Sequence, residues 1–120
     1  MTSIRLLKNG SVAFPAMFQA IDRAGQSVAL EMYLVSDDET GREFRTHLIN
    51  AARRGVQVMV LVDSWGSWNL PDSFWDGLRL AGGMVRWIHP ILKGLLPFRN
   101  HRKLLLVDDR IAFIGGMNIA

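Results

Sequence analysis

Two side chains able to act on the same atom stand near the end of this chain. His101 and Lys103 lie in the run Asn100-His101-Arg102-Lys103-Leu-Leu-Leu-Val-Asp108, which is followed by Gly115-Gly116-Met117-Asn118. Together they spell H-x-K-x4-D-x6-G-G-x-N. The apolar residues after Lys103 predict a strand, and residues two apart in a strand point to one face. His101 and Lys103 therefore converge, a nucleophile beside a fixed positive charge. An unprotonated imidazole can attack phosphorus and divide one displacement into two easier ones. Lys103 neutralises the non-bridging oxygens where charge gathers, Asn118 can add an amide donor, and Gly115-Gly116 lets the backbone come close. These groups need no metal or other cofactor, and the sequence has no carboxylate cluster to hold a metal ion. Asp108 belongs to the same candidate catalytic set by pattern. Its strand parity matches Arg102 and opposes His101 and Lys103, which makes it a structural acceptor at the Asp-Asp-Arg turn.

The elements that must carry these residues can be read from periodicity. A short strand spans Ile4 to Leu7, and Ser11 starts a helix over Phe14 to Ala24 with Pro15 in its first turn. Ser27 to Val35 is a buried strand, and Asp37-Asp38 opens a helix to Arg54 with Phe44, Leu48 and Ala51 on one face. Val56 to Val62 is an apolar run of strand length, as expected where helices cover both faces of a sheet. After Asp63 and a Trp/Gly/Ser loop, a third helix runs from Pro71 to Ala81. Met84 to Ile88 is a strand, residues 89–100 form a proline-punctuated loop, and strands at Arg102 to Val107 and Ile111 to Ile114 close the chain. The order β-α-β-α-β-α-β-β-β predicts an α/β sandwich with a mostly parallel or mixed sheet and helices on both faces.

Length and composition bound the rest. A chain of 120 residues makes one domain. Without cysteine it can form no disulfide or thiolate metal site. The three histidines lack the short spacings of zinc sites. No segment reads as a signal peptide, and no apolar run approaches the ~20 residues that span a bilayer. The net charge is +3, yet it is unevenly placed: no acidic residue lies between Asp76 and Asp108, where Arg79, Arg86, Lys93, Arg99, Arg102 and Lys103 all fall. Such a stretch attracts a phosphate-bearing partner.

His101-x-Lys103-x4-Asp108-x6-Gly115-Gly116-x-Asn118 resembles the signature of the phospholipase D superfamily. The wider match, which covers essentially the whole chain, is closest to bacterial cardiolipin synthases and related phosphatidyltransferases. It includes Leu7-x-Asn9-Gly10, Leu30-Glu31-Met32-Tyr33, Ala51-Ala52-Arg53-Arg54-Gly55-Val56 and Val60-Leu61-Val62-Asp63. The resemblance implies a phospholipase D-like α-β-α sandwich and a phosphohistidine formed on His101. It implies that Lys103 and Asn118 bind phosphate, with Gly115, Gly116, Arg102 and Glu31 near the substrate. In that family a second copy of the motif supplies the histidine that protonates the leaving alcohol. Residues 1–120 then read as a first, N-terminal catalytic domain cut just after its motif, completed by a missing half or by a homodimer partner. The implied substrate is a phosphatidylglycerol-like phospholipid, met by peripheral contact on the cytoplasmic side of the cell membrane. Many members have serine where Gly116 stands; glycine is familiar in the synthase branch.

Blander readings compete at single residues. Glu31, inside an apolar strand, can orient a catalytic group from beneath the site or serve as a structural acceptor. Asp63, at the carboxyl end of a buried strand, is either a ligand group or a turn residue. His47 reads as surface, and His89 as a strand-end cap. Trp65 and Trp68, with Leu92, Leu95, Leu96 and Phe98 near Lys93 and Arg99, suit a membrane interface or packing against another half. Two alternatives to the transferase stay open. One is a phosphodiesterase, nuclease or phospholipase D of the same superfamily that uses water, and it alone calls for nucleic acid as partner. The other is a fragment that binds without turnover, because one histidine cannot be both nucleophile and leaving-group acid.

Overall fold

In the computed structural model, residues 3–6, 10–32, 35–64, 66–88 and 103–115 are described. Six strands and three α-helices follow one another as β1 (Ser3–Leu6), α1 (Gly10–Arg23), β2 (Ser27–Met32), α2 (Glu39–Arg53), β3 (Gln57–Asp63), α3 (Asp76–Leu80), β4 (Met84–Ile88), β5 (Lys103–Val107) and β6 (Ile111–Gly115). This is the order read from the sequence. The third helical segment differs in detail: Asp72–Trp75 forms a 3-10 turn before α3, which is only five residues long.

The strands form one mixed sheet in the order β1-β6-β5-β2-β3-β4. β5 is antiparallel to both neighbours, while β1 with β6, β2 with β3 and β3 with β4 are parallel. Five strands therefore end, and β5 begins, at one edge of the sheet. In open α/β sheets this carboxyl edge is where ligands bind.

Burial alternates along the central strands: Val28, Leu30 and Met32 of β2 and Val58, Val60 and Val62 of β3 are inside, whereas Ala29, Gln57 and Met59 are exposed. Leu105 and Val107 share the inner face, opposite Leu30 and Val28. That face forms one core with Met17 and Ile21 of α1, Phe44, Leu48 and Ala51 of α2, and Phe74, Trp75 and Leu78 around α3. The expectation of helices on both faces is met on one face only among the described residues. The other face leaves Met59, Met84 and Ile114 more than a third exposed. The apolar runs misled because residues of both parities within them are apolar, while only one parity faces the helices.

Local chemistry starts and stops the helices where the core needs them. Asp38 sits in an extended conformation and its Oδ1 accepts from Gly41 N at 2.8 Å, capping α2. Phe44, Leu48 and Ala51, at helical spacing, bury the inner stripe. Phe18 packs edge-on against Phe44, with ring centroids 4.5 Å apart, and locks α1 to α2.

Candidate functional site

The site is assembled by register. The backbone of Lys103, the first residue of β5, pairs with Gly115 of β6 on one side and Met32 of β2 on the other. Met32 in turn pairs with Val62, and Val62 with Trp87. Gly115, Lys103, Met32, Val62 and Trp87 thus form one row across five strands at the carboxyl edge. Lys103 of the H-x-K segment and Gly115 of the G-G-x-N segment, at the two ends of the β5–β6 hairpin, meet in this row. His101, Arg102, Gly116 and Asn118 lie outside the described residues, as do His89, Trp65, Leu92, Leu95, Leu96 and Phe98.

Asp108 is not part of this cluster. Five residues of strand, at about 3.3 Å each, put it roughly 16 Å from Lys103 at the opposite edge. There its carboxylate accepts backbone N–H bonds from Gly25 at 3.0 Å, Gln26 at 2.7 Å and Ser27 at 2.9 Å. Its own N–H donates to Ser27 O at 2.8 Å. Burial alone would raise the carboxyl's pKa. The N–H groups of Gly25, Ser27 and Gln26 and the nearby Arg110 charge outweigh it and hold the group below its ordinary value. Asp108 and Asp109 both have positive φ, 55° and 54°, and Arg110 N closes the turn on Val107 O. Such mirror-image turns match the twist of a hairpin, and aspartate tolerates the conformation. Asp108 thus fastens the β5–β6 hairpin to the α1–β2 connection, the structural acceptor role that its strand parity predicts.

Glu31 stands in the central strand β2. It is half-buried in a row with Ile114, Leu104, Leu61 and Arg86, one residue back from the Lys103 row and on the face opposite the core. Asp63 is buried at the end of β3, and its Oδ1 accepts from Gly66 N at 3.1 Å, the turn-residue role. His47 is not a free surface group. Its Nδ1 lies 2.6 Å from Asp22 Oδ1 and its ring stacks on Phe18 at 4.5 Å, tying α2 to α1.

Sequence reasoning missed a cluster beside β4. Asp72 accepts from Arg79 Nη2 at 2.7 Å and from the indole of Trp87 at 2.8 Å. The Arg79 bond, then the Trp87 bond, hold the Asp72 carboxyl below its ordinary value. Ser67 is buried and its Oγ accepts from Val35 N at 2.8 Å. No local pattern announces these pairings, because the partners lie 7 to 32 residues apart.

Comparison with known proteins gives a consistent picture. Residues 17–120 match the family described as "Cardiolipin synthase, PLD-like domain". The chain is 44% identical over 120 residues to cardiolipin synthase B of Salmonella typhimurium, covering 96% of this chain and 29% of that protein. It is 38% identical over 122 residues to a Geobacillus cardiolipin synthase, covering 98% of this chain and 24% of that one. The chain thus spans less than a third of the length of these relatives. In fold it is similar to the phospholipase D family member Nuc from Salmonella typhimurium, with a TM-score of 0.59 and 23% identity over 81% of this chain and 58% of that one.

Proposed function

Because the chain belongs to the phospholipase D-like domain family of cardiolipin synthases, we propose that it forms the first catalytic half of a phosphatidyltransferase. The observation that carries this reading is the row in which Lys103 of β5 pairs with Gly115 of β6. That pairing supports the reading because Lys103 and Gly115, one from each half of the motif, stand side by side at the carboxyl edge. His101 attacks phosphorus; an N–P bond forms as the P–O bond to the leaving glycerol breaks. Lys103 offsets the charge on the non-bridging oxygens, and the Asn118 amide and the backbone at Gly115-Gly116 donate to them. A histidine from a second motif, in the remainder of the protein or in a partner chain, protonates the leaving alkoxide. It then takes the proton of the incoming lipid hydroxyl, whose oxygen displaces His101.

The substrate in this reading is phosphatidylglycerol, met at the cytoplasmic surface of the membrane. No helix among the described residues is long and apolar enough to cross a bilayer. Incubating the full-length protein with phosphatidylglycerol should give cardiolipin and glycerol, and His101→Ala should abolish both. Cleavage of DNA by a protein that leaves the lipid untouched would replace the transferase by the nuclease of the same superfamily.

A further inference from the structure

We propose that the cavity framed by Trp68 and Trp87 at the carboxyl edge seats an acyl chain of the phospholipid whose phosphate lies at Lys103. This rests on the transferase reading and adds to it a subsite for the lipid tail. The cavity, of about 440 Å³, is lined by Ser64, Ser67, Trp68, Leu70, Asp72 and Trp87. That is the size of an ordinary small-molecule pocket.

Its position is fixed by the same row that defines the site. From Lys103 the row passes through Met32 and Val62 to Trp87. Three interstrand steps of about 4.8 Å put the cavity wall roughly 14 Å from Lys103 along the edge. A glycerol headgroup does not extend so far from its phosphate, whereas a long acyl chain does.

The wall chemistry points the same way. The indole N–H of Trp87 is already taken by Asp72, and the Asp72 carboxylate is also held by Arg79. Ser67 Oγ is engaged by Val35 N, and Ser64 N donates to Ile88 O. With these hydrogen bonds made within the protein, the apolar lining is mainly the two indoles, backed by buried Leu70, while the Asp72 carboxylate, 64% exposed, stands at one side paired with Arg79. Trp68 is 78% exposed, and an aromatic body left in water gains most from a hydrocarbon laid against it.

The test uses the full-length protein and a lysophosphatidylglycerol brominated on its single acyl chain, kept below its micelle concentration so that no bilayer is present. Saturable quenching of tryptophan fluorescence beyond that of the unbrominated lipid is expected. Trp68→Ala should weaken the half-saturation concentration roughly tenfold, while Leu80→Ser, on a side chain 90% exposed at the far end of α3, leaves it unchanged. Both side chains are exposed, so neither substitution threatens the fold. Absence of bromine-dependent quenching, or equal affinity in Trp68→Ala, overturns the proposal. So does quenching through Trp68 by a single-stranded oligonucleotide with the lipid silent, since bases also stack on tryptophan. The assay needs no turnover, so bromine quenching through Trp68 supports the subsite even if phosphatidylglycerol transfer fails.

Discussion

Replacing Asp108 should unfold the chain more easily without touching the chemistry, although Asp108 belongs to the motif. Its carboxylate accepts from Gly25, Gln26 and Ser27. A hydrogen bond to an ionised group contributes ~1.5–3 kcal/mol, but the bonds from Gly25 and Gln26 are exposed and water can take the carboxylate's place. The half-buried bond from Ser27 N is the one that water replaces poorly. Asp108→Ala should therefore cost roughly 2–3 kcal/mol, and Asp108→Asn, which keeps one acceptor oxygen, about half of that. With a urea slope of about 1.2 kcal/mol per molar, the alanine midpoint falls by about 2 M. The pH dependence has a definite sign. The folded carboxyl is held below its ordinary value, so its contribution is complete above the unfolded carboxyl pKa of ~3.9. It is lost as pH falls through the lower folded value. The gap between wild type and Asp108→Asn should be widest near neutrality and close below about pH 4. Urea unfolding at several pH values measures it. A loss under about 0.5 kcal/mol for alanine, or a gap that persists in acid, would refute the anchoring role. A fall of a hundredfold or more in kcat for fully folded Asp108→Asn would show that the residue acts in the reaction after all.

Gly41→Ala in α2 should destabilise, although alanine in a helix normally gains about 1 kcal/mol over glycine. Its Cβ would lie 2.0 Å from the backbone oxygen of Ser36, so a thermal melt showing a gain would mean that the Ser36 backbone moves aside easily. Asp38→Ala removes the cap on Gly41 N and should cost about 1 kcal/mol, read by the same melt; no change would mean that water caps the helix equally well. Lys103→Gln keeps length and polarity but not charge. Transfer should fall on the order of 100-fold in kcat with the fold intact by circular dichroism, the cost typical of losing a group that stabilises the transition-state oxyanion. Near-wild-type turnover would remove Lys103 from the site.

The order of the elements could be read directly because periodicity is local: each strand and helix carries its own apolar spacing. The scaffold role of Asp108 was legible for the same reason, since parity sets it against Lys103 within a single strand. Its partners were not, because Gly25 lies 83 residues away and nothing in the backbone of residues 25–27 marks them as donors. The side of the sheet that the helices cover also escaped. Val28, Ala29 and Leu30 are all apolar, yet only Val28 and Leu30 are buried. Apolar type therefore does not tell which face packs. His47 looked like surface because its neighbours Arg45 and Asn50 are polar; the Phe18 ring and the Asp22 carboxylate that hold it come from another helix.

The strand order has a consequence for how the site comes into being. Among the described residues, β1 joins the sheet through β6, and β6 joins the rest through β5. The ribosome has to release more than a hundred residues before the opening strand finds its place, a high-contact-order closure that is slow and exposed while incomplete. The hairpin that links β1 to the rest carries Lys103 and Gly115 at its two ends. The row Gly115-Lys103-Met32 and the attachment of β1 thus depend on the same β5–β6 hairpin.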